Sequence, residues 1–212
     1  MSERPIIFNA RDVRAILDGK KTQTRRVVPR VYRQRIDPPR GAIDIDAGYP
    51  FVCGFDGNDE CISAVHLCPF GRPGDRLWVR ETWAHWQKSM CLPMNGFRQD
   101  PEVSYEATDH EPDIDVELVE KFRWRSPVAM PRWASRILLE ITEVRVQRLQ
   151  DMDEGDAIAE GWHHGVWGDM PHVGNGGPFD WFASAWDSTA KPGAQWKDNP
   201  WVWAVSFKRV QP

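Results

Sequence analysis

Long hydrophobic segments are missing from this chain of 212 residues. No run of about eighteen apolar side chains occurs, which argues against a membrane-spanning helix. Residues 1–14 also lack the charged and apolar blocks of a signal peptide. Only four cysteines are present, and their uneven spacing favours a reducing compartment over a disulfide scaffold. The sequence therefore predicts a soluble cytoplasmic protein.

A large positive charge is missing as well. The net charge of -4 argues against a protein that coats long nucleic acids, because non-specific affinity comes mainly from phosphate neutralisation. The P-loop, G-x-G-x-x-G, G-x-S-x-G and metalloprotease-helix motifs are absent, and so are internal repeats and low-complexity tracts. At this length we expect one domain, residues 1–212, with room for large insertions. A local basic patch is still allowed.

What the chain does have is a dense basic segment, residues 20–26, directly after a short predicted helix. Asn9 suits the N-cap of that helix, residues 9–17, and Gly19 suits a left-handed residue after its end. The basic segment contains four basic residues, two threonines and no acid. This composition indicates a place that receives an anion or a polar ring, although basic runs are also common on ordinary solvated surfaces.

The order Gly19-x-Lys21-x-x-Thr24-x-Arg26 follows a predicted strand, residues 5–8, and the helix. It resembles the signature of the ASCH family in the PUA-like superfamily, in which glutamate is usual where this chain has Thr24. With threonine at this position, the chain resembles the subgroup of the family that hydrolyses N4-acetylcytidine. The resemblance implies a catalytic set of Lys21, Thr24 and a later glutamate.

Two further elements resemble landmarks of the same family. Pro73-Gly74-Asp75 is typical of a turn that precedes a strand, and alternating apolar residues predict strands over residues 136–146 and 201–209. The resemblance implies an α+β fold: a PUA-like mixed β-barrel of about five to six strands with a few flanking helices. Proteins of this kind are common in bacteriophages and prophages.

A second helix is predicted over residues 153–160. Asp151 and Glu154 have the spacing of a capping box at its start, and Gly161 closes it. The resemblance implies that Glu160, at the end of this helix, is the functional glutamate of the family.

Three long segments exceed a minimal ASCH core and are predicted to be ordered insertions, residues 30–69, 86–133 and 162–199. Within the third, residues 179–186 have the apolar spacing of a short amphipathic helix. Because binding residues concentrate in loops, such insertions often shape the mouth of a pocket.

Twelve tryptophans offer possible stacking platforms for unpaired bases. Core packing explains those in predicted strands, such as Trp78, Trp201 and Trp203. The better stacking candidates lie in loops or at the ends of elements: Trp83, Trp124, Trp162 and Trp167.

A structural zinc site is a weak alternative. Cys53, Cys61, His66 and Cys68 lie close in sequence but lack the paired C-x2-C spacing of strong zinc motifs, so thiols without a metal are expected. A loose group next to Glu160 is more typical of solvent-facing side chains than of ligands: His163, His164 and His172. No metal and no cofactor are predicted.

The chemistry implied for the site is amide hydrolysis, which needs a nucleophile, a base and a group that stabilises the oxyanion. Thr24 could be the nucleophile, Lys21 the base, and Glu160 the partner of the exocyclic amine. In a continuous strand Lys21 and Thr24 point to opposite faces, so a bend near Thr22 is required. Residues expected to bind the substrate are Arg26, Lys20, Arg25, Thr22, Trp83 and Trp162.

Other functions fit the same residues. A PUA-like module could bind a nucleoside or single-stranded RNA without turnover, and ribonucleases also occur among ASCH proteins. A protein-interaction module is the remaining alternative.

Overall fold

The computed structural model describes residues 2–29, 51–52, 62–63, 67–86, 102–109, 123–163 and 177–211. These ranges form a mixed α+β fold. Its strands are β1 (Glu3–Ile7), β2 (Gln23–Val27), β3 (Phe51–Val52), β4 (Ile62–Ser63), β5 (Arg76–Arg80), β6 (Trp83–Trp86), β7 (Glu102–Tyr105), β8 (Leu138–Arg148) and β9 (Trp201–Val210). Its helices are α1 (Ala10–Leu17), α2 (Glu154–Ala159) and α3 (Pro178–Asp187), with single 3-10 turns at Pro127–Ala129, Arg132–Ala134, Leu149–Asp151 and Trp196–Asp198.

The main sheet has five strands in the order β1-β5-β8-β9-β2. β1 is parallel to β5, and the other neighbours are antiparallel. Within the described ranges the sheet is open, with β1 and β2 as its edges, so the predicted closure into a barrel is not seen there. A side chain nevertheless connects the two edges, since Arg26 Nη2 donates to the carbonyl of Ile7 at 2.6 Å.

Local signals position the first helix as predicted. The Asn9 side chain accepts a hydrogen bond from the Asp12 amide, and Gly19 has a φ of +72°, which favours glycine. For α2 the predicted capping box of Asp151 and Glu154 is wrong. The box is formed by Asp153 and Asp156, whose side chains and backbone amides pair reciprocally.

The core lies mainly between the sheet and α1. Side chains that are at most 2% exposed include Val13 and Ile16 of α1 and Leu77, Leu139 and Val205 of the sheet. A second apolar cluster joins α2 and α3 to the start of β9, and its members include Ala157, Trp181, Phe182 and Val202. The second cluster holds the two later helices next to β2.

None of the helices in the described ranges combines the length and the apolar character needed to cross a bilayer.

Candidate functional site

A pocket of about 270 Å³ lies where the two edges of the sheet approach each other. Its walls come from the start of α1, from β2, from the residue that ends α2 and from one face of α3. Five residues of the predicted site line it: Lys21, Thr24, Arg25, Arg26 and Glu160. The structure therefore brings together the three predicted catalytic residues and two of the predicted substrate-binding residues.

Lys21 and Glu160 form the centre of this pocket. Lys21 Nζ donates to Glu160 Oε2 at 2.6 Å and to the Glu160 carbonyl oxygen at 2.9 Å. The two side chains are only 4% and 5% exposed. Asp12 adds a more distant carboxylate, with Oδ1 3.9 Å from Lys21 Nζ. A buried ion pair of this kind needs close geometry to offset desolvation, and a distance of 2.6 Å meets that condition.

Lys21 and Thr24 face one pocket because Lys21 precedes β2 rather than belonging to it. The Lys21 amide donates to the carbonyl of Ala15, so its backbone is bound to the end of α1. Thr24 lies within β2, and no hydrogen bond of its side chain is found among the described residues. Both residues line the pocket, so the Thr24 hydroxyl is available to a ligand next to Lys21.

Arg25 connects the pocket to the interior of the protein. Its side chain is 0% exposed, and its Nη1 donates to Glu160 Oε1 at 3.1 Å and to Gln23 Oε1 at 2.6 Å. Its Nη2 lies 2.7 Å from Asp156 Oδ2, and its guanidinium stands over the ring of Phe182. Each oxygen of Glu160 thus has its own cation, which fixes the rotamer of the carboxylate.

Asp156 is a second buried carboxylate, and it shares Arg25 with Glu160. It accepts from Arg145 Nη2 at 2.6 Å and pairs with Arg25. Burial alone raises the pKa of Asp156, but the hydrogen bond from Arg145 and the charges of both arginines outweigh it, so that this pKa lies below its usual range.

The depressed pKa of Asp156 predicts an acid-dependent stability. The carboxylate contributes stability above the pKa it has in the unfolded chain, about 3.9, and the contribution is lost as pH falls toward the lower folded value. We expect the melting temperature of wild type to fall below about pH 4, and to fall less steeply in Asp156→Asn. Circular dichroism melts over this range test the prediction. Equal acid slopes in the two proteins would contradict it.

Aromatic side chains of α3 form another part of the pocket wall. Trp181, Phe182 and Trp186 all line the pocket, and the guanidinium of Arg11 lies 5.6 Å from the centre of the Trp181 ring. The amphipathic spacing of residues 179–186 predicted this helix, and its role at the pocket agrees with an insertion that shapes the mouth. The individual tryptophans were not predicted as site residues, since periodicity does not reveal which element a helix packs against.

Four predicted substrate-binding residues do not line this pocket. Lys20 is exposed, 3.2 Å from His163 Nε2 and 3.2 Å from Asp18 Oδ2. The Thr22 side chain is exposed too, and its backbone links the Ala159 carbonyl to the Phe207 amide.

The two tryptophans of this set are packed elsewhere. Trp83 is 3% exposed in a cluster with Met130 and Ala134, so its ring is not free to stack on a base. Trp162 is half-buried against the cluster of α2 and α3.

Several remaining candidates lie outside the described residues: Cys53, Cys61, His66, Trp167, His164 and His172. The zinc alternative is therefore untested. Cys68 is described and buried, and burial raises the pKa of its thiol to about 11. Trp124 is half-buried. No group of three or more metal-ligating side chains occurs in the described part of the chain.

No family model, curated protein or solved structure significantly matches this chain. Membership of the ASCH family is thus a prediction from the Lys21 and Thr24 motif, and the function rests on the residues of the pocket.

Proposed function

We propose that the protein is a PUA-like, ASCH-type hydrolase that removes the acyl group from an N4-acylated cytidine. The observation that carries the proposal is the buried pair of Lys21 and Glu160, 2.6 Å apart, in a pocket that Thr24 also lines. Amide hydrolysis requires a nucleophile, a base and an acid, and Thr24, Lys21 and Glu160 are proposed for these roles because all three line the pocket.

The pocket also has the features of a nucleobase site. Its lining combines Trp181, Phe182 and Trp186 with the carboxylates of Glu160 and Asp12, and the half-buried Trp186 is the most exposed of the three aromatic side chains. Aromatic side chains stack on bases, worth about 1 to 3 kcal/mol for each base, and carboxylates accept from an exocyclic amine. A planar base with a substituted amine therefore suits this combination of residues.

In the proposed reaction Lys21 first passes a proton to Glu160 Oε2, leaving a neutral amine and a carboxylic acid. The Thr24 hydroxyl attacks the acyl carbonyl carbon while Lys21 takes its proton, and the new ammonium stabilises the oxyanion. The C–N bond breaks as Glu160 gives its proton to the departing amine. Water then hydrolyses the acyl-threonine by three matching transfers: Lys21 again gives a proton to Glu160, takes one from the attacking water, and Glu160 protonates the departing Thr24 oxygen, which restores Thr24 and the ion pair.

A second candidate is recognition of a modified nucleoside without turnover. It is favoured by the second contact of Lys21 Nζ, to the Glu160 carbonyl oxygen, because an ammonium held by two acceptors is well suited to a fixed binding wall.

Product analysis tests the proposal. Wild type incubated with N4-acetylcytidine should release cytidine and acetate, as measured by liquid chromatography. Glu160→Gln keeps the shape of the side chain but removes its proton transfer, and we expect turnover to fall by at least about a hundredfold.

Glu154→Gln is the matched control, since Glu154 is an exposed residue of the same helix, and it should react as wild type does. Binding without product would favour recognition over hydrolysis. Cleavage of labelled RNA that disappears in Glu160→Gln would replace the amidohydrolase with a ribonuclease.

A further inference from the structure

A second pocket, of about 530 Å³, adjoins the first. The two share Arg25, Arg26, Trp186 and Thr189. The remaining walls come from the end of β2 and from the segment that follows α3. A ligand in the first pocket can therefore extend into the second, and the two volumes together suit a small organic ligand.

The two pockets differ in charge. Two carboxylates, Asp12 and Glu160, line the first, whereas no Asp or Glu is among the described residues that line the second. Three cations line the second: Arg25, Arg26 and Lys191. Because Arg25 is paired with Glu160 and Asp156, the cations left for a ligand are Arg26 and Lys191.

Arg26 lies at the junction of the two pockets and has no carboxylate partner among the residues that the structure describes. Its Nη2 donates to the Ile7 carbonyl, while its buried Nε has no hydrogen bond among the described residues. Burial lowers the pKa of Arg26, against the longer-range charges of Asp12 and Glu160. This half-buried guanidinium lies over the Phe8 ring and has no ion pair among the described residues, so an anion placed beside it gains a charge-assisted hydrogen bond.

The other side of the second pocket is held in place before any ligand binds. Trp186 Nε1 donates to the Ala194 carbonyl at 2.8 Å, which fixes the segment after α3 against that helix. The segment carries Lys191, which is exposed and has no ion pair among the described residues. Preformed walls reduce the ordering cost of binding.

We infer that the second pocket binds a phosphate group of a nucleotide whose base occupies the first pocket. The inference rests on the proposed function for the position of the base, and it makes the substrate a nucleotide or a nucleotide within RNA rather than a free nucleoside. Arg26 and Lys191 are the phosphate ligands.

Isothermal titration calorimetry with four probes tests this assignment: cytidine, its 5′-monophosphate, its 3′-monophosphate and a cytidylyl dinucleotide. In wild type we expect at least one phosphorylated probe to bind about tenfold more tightly than cytidine, the gain of a charge-assisted contact. A monophosphate preference identifies a free nucleotide as the ligand. An equal or greater preference for the dinucleotide identifies RNA.

The preference should shrink to less than about threefold in Lys191→Ala and in Arg26→Gln, because each variant removes one cation from the pocket. Lys197→Ala, an exposed lysine that does not line the pocket, should keep the full preference. Equal affinities for cytidine and all three phosphorylated probes in wild type, or a preference that survives Lys191→Ala, would overturn the inference.

The outcomes separate the two proposals. A phosphate preference that depends on Lys191, without release of acetate from N4-acetylcytidine, retains the phosphate subsite and removes the hydrolase. Acetate release without a phosphate preference retains the hydrolase and removes the phosphate subsite.

Discussion

Replacing Thr24 with valine should abolish deacylation while leaving the fold intact. The change removes only a hydroxyl that has no hydrogen bond among the described residues, so we expect the free energy of unfolding to change by less than about 1 kcal/mol. The rate of cytidine release should fall by at least about a thousandfold, because the proposed nucleophile is lost. Initial rates and thermal melts of the same preparations measure both effects.

Thr24→Ser is the matched control, since it keeps a hydroxyl on the same strand position and should retain turnover. Mass spectrometry of wild type quenched during turnover should also find one acetyl group on the peptide that contains Thr24. Wild-type rates in Thr24→Val would transfer the attack from Thr24 to a water molecule.

The largest loss of stability should follow Arg25→Met. Methionine has a similar length but no charge. The Arg25 side chain is 0% exposed, and replacing it removes one ion-pair partner from both Glu160 and Asp156. Breaking a buried ion pair by removing one partner costs about 3 to 5 kcal/mol, a large part of the stability of a typical domain. Chemical denaturation monitored by tryptophan fluorescence measures the free energy of unfolding.

Arg145→Met provides the comparison. Arg145 also pairs with Asp156, at 2.6 Å, but its side chain is 30% exposed and water can replace part of the interaction. We expect a clearly smaller loss than in Arg25→Met. Equal losses in the two variants would show that burial of Arg25 does not set the energy of this network.

Local signals in the sequence were sufficient for the elements around the site. Asn9 and Gly19 mark the two ends of α1 through hydrogen bonding and backbone conformation, which depend on nearby residues only. The helix that ends at Glu160 was likewise predicted. What local signals could not give is the distance between Lys21 and Glu160, which are 139 residues apart in sequence.

The capping of α2 illustrates why the rest was missed. Both Asp151 with Glu154 and Asp153 with Asp156 have capping-box spacing, so sequence alone does not choose between them. Ion pairs of Asp156 with Arg25 and Arg145 accompany the second arrangement. Asp156 was therefore overlooked as a member of the site's charge network.

Trp83 was misjudged for a related reason. It begins a short strand and was predicted to be available for stacking, but long-range packing against Met130 and Ala134 buries its ring. Burial by residues almost fifty positions away leaves no local signal in the sequence.

The pairing of β2 has a consequence for the order in which the site is assembled during translation. In the described ranges the only strand that pairs with β2 through the backbone is β9, from Gln23 opposite Ser206 to Val27 opposite Val202. The segment that carries Lys21, Thr24 and Arg25 leaves the ribosome early but cannot join the sheet until β9 has been synthesised. A nascent chain that stops before β9 thus contains every proposed catalytic residue and still has no pocket.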